Sequence, residues 1–191
     1  MKPLVFATNN QHKLDEVQSL VGDNFKLLSL KDIKCFDEIP ETGDTFYKNA
    51  SQKSRYIFEH YNIDCFSDDS GLEVDALNGE PGVYSAHYSG SRDSLTNLNL
   101  VLQNLADSPN RKARFKCVIS LILNGYEHFF DGSVEGNITL ESSGADGFGY
   151  DPIFQPEGYS KTFAKMSAEE KNDISHRSRA IEKMVRFLSG L

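Results

Sequence analysis

The segment from Arg114 to Leu123, which is followed by Asn124-Gly125, constrains the fold more than any other feature of this chain. After Phe115 the segment is almost continuously apolar, which is typical of a strand that is buried on both faces. Asn-Gly is the strongest short-range signal for a two-residue hairpin turn. The sequence therefore predicts a long buried strand that turns back into a second strand from Glu127 to Thr139.

Helical spacing of apolar residues is found in several other parts of the chain. A short apolar run at residues 3–7 precedes apolar positions at helical spacing from Leu14 to Val21, which predicts a strand-loop-helix unit. Helices are also predicted from Asp44 to about Tyr61, with Asp44 as the N-cap, from Asp93 to Ala106, and from about His176 to the C-terminus.

The pattern within these segments indicates the fold class. Leu95, Leu98, Leu102 and Leu105 form an apolar stripe and are assigned to the core, and Ser167 to Glu170 matches a capping box at the start of a short helix. Strands that alternate with helices, followed by a hairpin, favour the α/β class. We expect a mixed, elongated central sheet flanked by helices, in two lobes with a cleft between them.

Length and charge exclude several classes of protein. At 191 residues the chain is long enough to bury a substantial core, and a single domain over residues 1–191 is predicted. The net charge of −8 would repel a phosphate backbone, so neither polymeric nucleic acid nor a membrane surface is an expected partner. No segment approaches the roughly 20 apolar residues that cross a bilayer. Since no secretory signal is present, the cytoplasm is the expected compartment.

Two adjacent carboxylates, Asp68 and Asp69, precede Ser70-Gly71 between two short strand-like segments. We expect them on a sharp turn at a strand end, where acids commonly bind a metal ion or transfer a proton. Mg²⁺ prefers few carboxylates and keeps positions for water and phosphate oxygens. The alternative is an Asx-turn, in which the aspartates bond only the local backbone, and an isolated Asp-Asp-Ser-Gly would favour that alternative.

Two further polar segments precede predicted helices. The loop from Thr8 to Lys13 follows the first strand, and backbone N–H groups at such a loop and helix start form an anion site. An ordinary polar cap is an equally good interpretation of this loop alone. Glu41, just before the second helix, is a candidate metal ligand, although a charge that favours the helix dipole is the simpler explanation.

The last polar segments lie in the C-terminal part of the chain. In the loop from Gly144 to Phe154, Phe148 lies between two glycines and Tyr150 follows the second, which suits either stacking on a flat base or a tight hairpin. Lys171, His176 and Arg177 supply hydrogen-bond donors near a helix start. No cysteine or serine partner makes His176 part of a nucleophilic pair, so a carboxylate is favoured as general base.

Together these segments resemble the inosine triphosphate pyrophosphatase family, and most closely its bacterial members that act on dITP and XTP. The blocks that carry the resemblance occur in family order: Ala7-Thr8-Asn9-Asn10 with Lys13, Glu41-Thr42-Gly43, Asp68 to Leu72, Pro81 to Ala86, Gly147 to Pro152, and Ser175-His176-Arg177. One departure is Asn9, where many relatives carry glycine.

The resemblance implies a Mg²⁺-dependent hydrolase that splits ITP, dITP and XTP into the monophosphate and pyrophosphate. It implies that Asp69 is the general base and a metal-site acid together with Glu41, that Asp68 supports them, and that Lys13 neutralises the leaving pyrophosphate. The residues implied to contact substrate are Thr8, Asn9, Asn10, Gln11, His12, Lys13, Ser70, Phe148, Gly149, Tyr150, Asp151, Lys171, His176 and Arg177. A homodimer is also implied.

Two other functions compete with this interpretation. A Maf-like hydrolase that acts on other nucleotides would share the strand-loop-helix phosphate site, but the Phe148 and His176-Arg177 blocks argue against it. A nucleotide sensor that binds without turnover is disfavoured by the presence of Asp69, Glu41 and Lys13.

Overall fold

The secondary structure follows the periodicity of the sequence closely. The computed structural model describes residues 3–21 and 25–190. In chain order these residues form β1 (Pro3–Phe6), α1 (Gln11–Val21), β2 (Lys26–Leu28), α2 (Phe46–Tyr61), β3 (Cys65–Val74), α3 (Ser94–Leu105), β4 (Lys112–Leu123), β5 (Tyr126–Ile138), β6 (Phe154–Pro156), α4 (Ala168–Asn172) and α5 (His176–Ser189). None of these helices is long and apolar enough to span a bilayer.

The strands form one sheet in the order β2-β1-β3-β4-β5-β6. β1 runs parallel to both of its neighbours, with Val5 opposite Leu28 and Cys65. β5 and β6 are antiparallel, with Gly136 opposite Pro156. Parallel and antiparallel pairs thus occur in one sheet, and the predicted mixed α/β class is confirmed.

The predicted hairpin joins β4 to β5. Asn124 and Gly125 have φ angles of 51° and 83°, the left-handed values that a type I′ turn requires at both central positions. Asparagine and glycine adopt this region at lower cost than other residues, so the turn chemistry alone fixes the connection.

The structure corrects the predicted cap of α2. Thr45, not Asp44, is the N-cap: its backbone is extended and its side chain accepts a hydrogen bond from the Lys48 amide. Asp44 instead forms an ion pair with Lys48 at 2.7 Å on the exposed surface. Asp and Thr are both preferred at the N-cap, so residue type alone could not decide between Asp44 and Thr45.

The assignment of Leu95 to the core is wrong, since it is 62% exposed. Leu98, Val101 and Leu105 are buried in α3. At about 100° per residue these three positions define the centre of the buried stripe, and Leu95 lies on its flank. The capping box at Ser167 is confirmed.

The predicted turn at Asp68-Asp69 is also wrong. β3 runs without interruption from Cys65 to Val74, so both aspartates lie within a strand and the Asx-turn alternative does not apply. Asp, Ser and Gly are depleted in strands, which is why the sequence pattern favoured a turn. Burial of both acids, the ion pairs of Asp68 and the hydrogen bond from Asn49 to Asp69 override that propensity.

The chain divides into two compact units, to which the two predicted lobes correspond. The first comprises Met1–Asp69, Cys117–Gly132 and Arg177–Leu191, and the second comprises Ser70–Lys116 and Ser133–His176. Each unit has its own apolar core, as expected of an independently packed body.

The core of the first unit lies on both faces of its strands. On one face Phe6 and Phe66 stack with ring centroids 4.5 Å apart and pack with residues of α1 and α5. On the other face Val5 and Cys65 pack with Ile57 of α2. Successive residues of a strand point to opposite faces, so each neighbouring pair in β3 faces two different sets of helices.

Candidate active site

The segment Glu41-Thr42-Gly43 is hydrogen-bonded to the side of α2. The Thr42 amide donates to Gln52 Oε1 at 2.9 Å, and the Gly43 amide donates to Asn49 Oδ1 at 2.7 Å. A Cβ on Gly43 would lie only 2.6 Å from the Cβ of Lys48, so glycine permits this close approach. The contacts place Glu41 beside α2.

Asp68 is bound by cations from distant parts of the chain. Lys13 Nζ lies 3.0 Å from one carboxylate oxygen and Arg177 Nε 3.3 Å from the other, while Arg177 also pairs with Glu16. Burial alone would raise the pKa of Asp68, but its attraction to Lys13, Arg177 and Lys53 prevails and holds the pKa well below its usual range. Asp68 is therefore ionised under all ordinary conditions.

Asp69 has a different environment, although it is the next residue. The Asn49 Nδ2 group donates to its Oδ2 atom at 3.0 Å. Burial raises the pKa of Asp69; Lys53 and Asn49 lower it without cancelling that effect, and the nearby Glu41 raises it further. Asp69 is therefore the more basic of the two adjacent carboxylates, and the better proton acceptor.

Lys53 is a member of this site that was not among the predicted site residues. Its Nζ atom forms an ion pair with Glu41 and donates to the backbone oxygen of Asp68 at 2.7 Å. Burial lowers the pKa of Lys53, but attraction to Glu41, Asp68 and Asp69 raises it by more. The signal was its spacing: Lys53 is four residues after Asn49 and thus on the same helix face.

Carboxylates and cations meet in one cluster. The group contains Glu16, Glu41, Asp68, Asp69, Lys13, Lys53 and Arg177. The hard oxygen donors of Asp69 and Glu41 are compatible with Mg²⁺. Within residues 3–21 and 25–190, no three His, Cys, Asp or Glu side chains form a metal-binding group. Mg²⁺ does not need one, because it usually retains water and phosphate oxygens as ligands.

The loop before α1 combines exposed side chains with a conventional helix cap. Asn10 Oδ1 accepts a hydrogen bond from the Lys13 amide at 3.3 Å, and the Asn10 amide donates to Thr8 Oγ1 at 3.1 Å. Asn9, Asn10, Gln11 and His12 are exposed, and Thr8 is half-buried. The polar-cap interpretation thus holds for Asn10, and phosphate binding by this loop stays a prediction.

In the second unit, Asp151, Lys171 and Phe148 contact one another. Lys171 Nζ lies 2.8 Å from Asp151 Oδ2 and 4.7 Å from the centroid of the Phe148 ring. The Phe148 amide donates to the same Asp151 oxygen at 2.9 Å. Asp151 and Lys171 are buried, so this ion pair is poorly screened and fixes the position of the ammonium group over the ring.

Gly147 is required by this arrangement. Its φ angle is 79°, and a Cβ at this position would lie 2.2 Å from Asp151 Oδ2. Any side chain would therefore displace the carboxylate that binds Lys171. Gly149 also has a positive φ, of 63°, but a Cβ there would meet no atom within 4 Å.

Tyr150 and His176 pack against the core of the second unit. The Tyr150 hydroxyl donates to the Ser85 carbonyl at 2.8 Å, and burial raises the pKa of this phenol. The His176 ring stacks on Phe115 with centroids 4.8 Å apart. Ser70 is half-buried in β3.

The structure thus groups the predicted site residues in two sets. Lys13, Glu41, Asp68, Asp69 and Arg177 lie together in the first unit, and Phe148, Asp151 and Lys171 lie together in the second. Arg177 is 1% exposed and contacts two carboxylates. The substrate contacts of all these residues stay predictions.

Known proteins resemble this chain over nearly its whole length. The model of the Ham1 family matches residues 4–187. A dITP/XTP pyrophosphatase of Flavobacterium johnsoniae is 49% identical over 187 residues, which are 97% of each chain. One of Flavobacterium psychrophilum is 50% identical over 96% of this chain and 97% of its own. The Ham1 protein of Staphylococcus aureus superposes with a TM-score of 0.91 at 39% identity and 99% coverage of both chains.

Proposed function

This chain belongs to the Ham1 family, and on that premise we propose that it hydrolyses deaminated purine nucleoside triphosphates. ITP, dITP and XTP are the substrates, and the products are the nucleoside monophosphate and pyrophosphate. The activity removes these nucleotides from the precursor pool. The family resemblance seen in the sequence is confirmed, and with it the Maf-like alternative loses its basis.

The contrast between Asp68 and Asp69 is the observation that carries the catalytic part of this proposal: Lys13 and Arg177 form ion pairs with Asp68, whereas the Asn49 amide donates to Asp69. Cations hold the pKa of Asp68 low, whereas burial raises the pKa of Asp69. A site that pushes the pKa values of two neighbouring acids apart assigns them different tasks. Asp68 orders the cations around it, and Asp69 is left as the group that accepts a proton.

The reaction follows from this assignment. A water oxygen forms a bond to the α-phosphorus while the bond from that phosphorus to the α,β-bridging oxygen breaks. Asp69 takes the proton that the water loses, and the bridging oxygen leaves with pyrophosphate. Lys13, bound to Asp68 at 3.0 Å, places positive charge where the leaving group gains negative charge.

Magnesium fits the acidic part of this site. Asp69 and Glu41 would hold the ion, since both provide hard oxygen ligands and the two carboxylates are close enough for Glu41 to raise the pKa of Asp69. When bound, Mg²⁺ supplies positive charge that neutralises polyphosphate oxygens and draws electrons from the reacting phosphorus. Lys53 keeps Glu41 beside the backbone of Asp68 and thus near Asp69.

Base recognition is assigned mainly to residues of the second unit. Phe148 stacks on the purine, and Gly149, Tyr150 and Asp151 line the base site. Lys171 and His176, with Arg177, complete the contacts to the nucleotide. Lys171 donates only, so it satisfies the 6-oxo group of hypoxanthine or xanthine and leaves the 6-amino group of adenine without an acceptor.

The assay that tests this proposal separates the two phosphate products. Purified protein with Mg²⁺ is mixed with ITP, dITP, XTP, GTP or ATP, and pyrophosphate and orthophosphate are measured independently. We expect pyrophosphate from the first three. Orthophosphate as the primary product, or equal turnover of ATP and ITP, would contradict the proposal. Asp69→Asn separates an enzyme from a sensor, because an enzyme loses turnover and keeps nucleotide binding.

We also propose a homodimer that acts in the cytoplasm, where free nucleoside triphosphates are used. The three cysteines, Cys35, Cys65 and Cys117, are buried free thiols, which agrees with a reducing compartment. Sedimentation analysis tests the dimer.

A further inference from the structure

Asn49 connects two parts of the acidic site that lie far apart in the sequence. It is the fourth residue of α2, on the face toward β3, and is 4% exposed. Its Nδ2 atom donates to Asp69 Oδ2 at 3.0 Å, and its Oδ1 atom accepts from the Gly43 amide at 2.7 Å. One buried side chain therefore contacts the general base and the segment that carries Glu41.

The chemistry of the two partners fixes the orientation of this amide. An ionised carboxylate only accepts hydrogen bonds, and a backbone N–H group only donates them. Rotation of the Asn49 amide by 180° would place oxygen against oxygen at Asp69 and nitrogen against nitrogen at Gly43. A side chain at position 49 must therefore be short and carry both a hydrogen-bond donor and an acceptor. Neither Asp nor Leu meets this requirement.

Gly43 provides the space that this contact needs. A Cβ at position 43 would lie 2.8 Å from Asn49 Oδ1 and 2.6 Å from Lys48 Cβ. Real Cβ atoms do not approach this closely, so an alanine would displace the segment from α2. The bond to Gly43 can therefore be disturbed without altering Asn49 itself.

We propose that Asn49 is a positioning residue that holds Asp69 and the Glu41–Gly43 segment at a fixed separation, so that the carboxylates of Asp69 and Glu41 could hold one Mg²⁺ ion. The inference rests on the proposed function, since it assigns Asp69 and Glu41 to one site. Groups that orient metal ligands typically change metal affinity or activity by about 10- to 100-fold when they are removed. Asn49 neither touches the substrate nor takes the proton.

The principal test is Asn49→Ala, with Ser54→Ala as the matched control. Ser54 is also a buried polar residue of α2, but it contacts Ser120 at 2.6 Å instead of the acidic site. For Asn49→Ala we expect kcat for ITP to fall by about 10- to 100-fold, with KM within about threefold of the wild type. The Mg²⁺ concentration for half-maximal rate should rise. For Ser54→Ala, we expect kcat, KM and the Mg²⁺ concentration for half-maximal rate to stay within about twofold of the wild-type values.

Two further variants separate positioning from a general loss of structure. Asn49→Asp is nearly isosteric and keeps an acceptor for Gly43, but it replaces the donor to Asp69. Gly43→Ala leaves Asn49 intact and displaces its partner. Both should reproduce the fall in kcat, and circular dichroism should show the wild-type spectrum. If Asn49→Ala does not fold, these two variants carry the test.

A measurement without turnover keeps this inference distinct from the proposed function. Mn²⁺ takes oxygen ligands as Mg²⁺ does, and its free concentration is read by electron paramagnetic resonance. We expect Asn49→Ala and Gly43→Ala to bind Mn²⁺ about tenfold more weakly than the wild type. If the wild type releases no pyrophosphate from any nucleotide, the proposed function fails while this titration still reports on Asn49.

The inference is overturned by any of three results. The first is a folded Asn49→Ala protein with wild-type kcat and Mn²⁺ affinity. The second is an equal loss of activity in Ser54→Ala. The third is a change confined to KM, which would place Asn49 among the substrate contacts instead.

Discussion

Replacement of Arg177 by Met tests whether the buried charge network is structural. Arg177 is 1% exposed and pairs with Asp68 at 3.3 Å and with Glu16. The Glu16 side chain is 9% exposed and that of Asp68 2% exposed, so neither carboxylate is well solvated. Methionine fills a similar volume without charge and leaves both carboxylates short of a cation.

The expected loss of unfolding free energy in Arg177→Met follows from the burial of its two carboxylate partners. Removal of one member of a buried ion pair costs about 3–5 kcal/mol of unfolding free energy, because the remaining charge is left uncompensated. Asp68 keeps its contact with Lys13, so we expect a loss of about 3 kcal/mol, at the lower end of that range. Arg186 in the same helix is the control. It pairs with Glu182 with both side chains largely exposed, and Arg186→Met should cost at most about 1 kcal/mol.

Urea unfolding followed by circular dichroism measures both variants. The double variant Arg177→Met, Glu16→Gln should be more stable than Arg177→Met alone, since it removes one uncompensated buried charge. If Arg177 served only as a substrate contact, its removal would cost no more than that of Arg186. The account of the buried charge network would be refuted if Arg177→Met lost no more stability than Arg186→Met. It would also be refuted if the double variant were less stable than Arg177→Met.

Other substitutions test individual contacts. Leu98→Ala should lower the unfolding free energy by about 2–5 kcal/mol because it leaves a cavity in the core, whereas the exposed Leu95→Ala should change it by at most about 0.5 kcal/mol in the same urea assay. Thr45→Ala should cost about 1 kcal/mol, as it removes the acceptor for the Lys48 amide. Lys171→Met should reduce the preference for ITP over ATP by at least about tenfold in kcat/KM, because the donor above Phe148 is lost; an unchanged ratio would remove Lys171 from base recognition. Chelation by EDTA should abolish pyrophosphate release and Mg²⁺ should restore it; full activity in EDTA would exclude the metal.

Local rules account for the parts of the fold that the sequence predicted well. The positive φ angles at Asn124 and Gly125 are a property of those two residues, and the hairpin follows from them. Amphipathic spacing in α1, α2, α3 and α5 needs only the helical period. The cap of α2 was misplaced by one residue because Asp44 and Thr45 are chemically equivalent candidates.

The continuity of β3 could not be predicted by such rules. Asp68 and Asp69 have poor strand propensity, and the partners that stabilise Asp68 are 55 and 109 residues away in the sequence. Lys13 and Arg177 lie on helices whose packing is decided by the whole sheet. The pairing is thus a property of the tertiary structure, and no window of sequence around β3 contains it.

Strand geometry explains how adjacent aspartates come to differ. Because side chains alternate along a strand, Asp68 shares a face with Phe66, and Asp69 shares the opposite face with Cys65. The face of Phe66 packs with α1 and α5, which carry Lys13 and Arg177; the face of Cys65 packs with α2, which carries Asn49.

The same alternation ties the chemistry to the continuity of β3. In a turn, as the sequence pattern predicted, the two carboxylates would share one environment and would both be solvated. Within a continuous strand, Asp68 is directed to Lys13 and Arg177, and Asp69 is directed to the face of α2 that carries Asn49 and Lys53. Their pKa values then move in opposite directions. The separation of an ionised anchor from a basic proton acceptor therefore depends on two acids at consecutive positions of one strand, with Asp68 paired to Lys13 and Arg177 and Asp69 buried on the face toward α2.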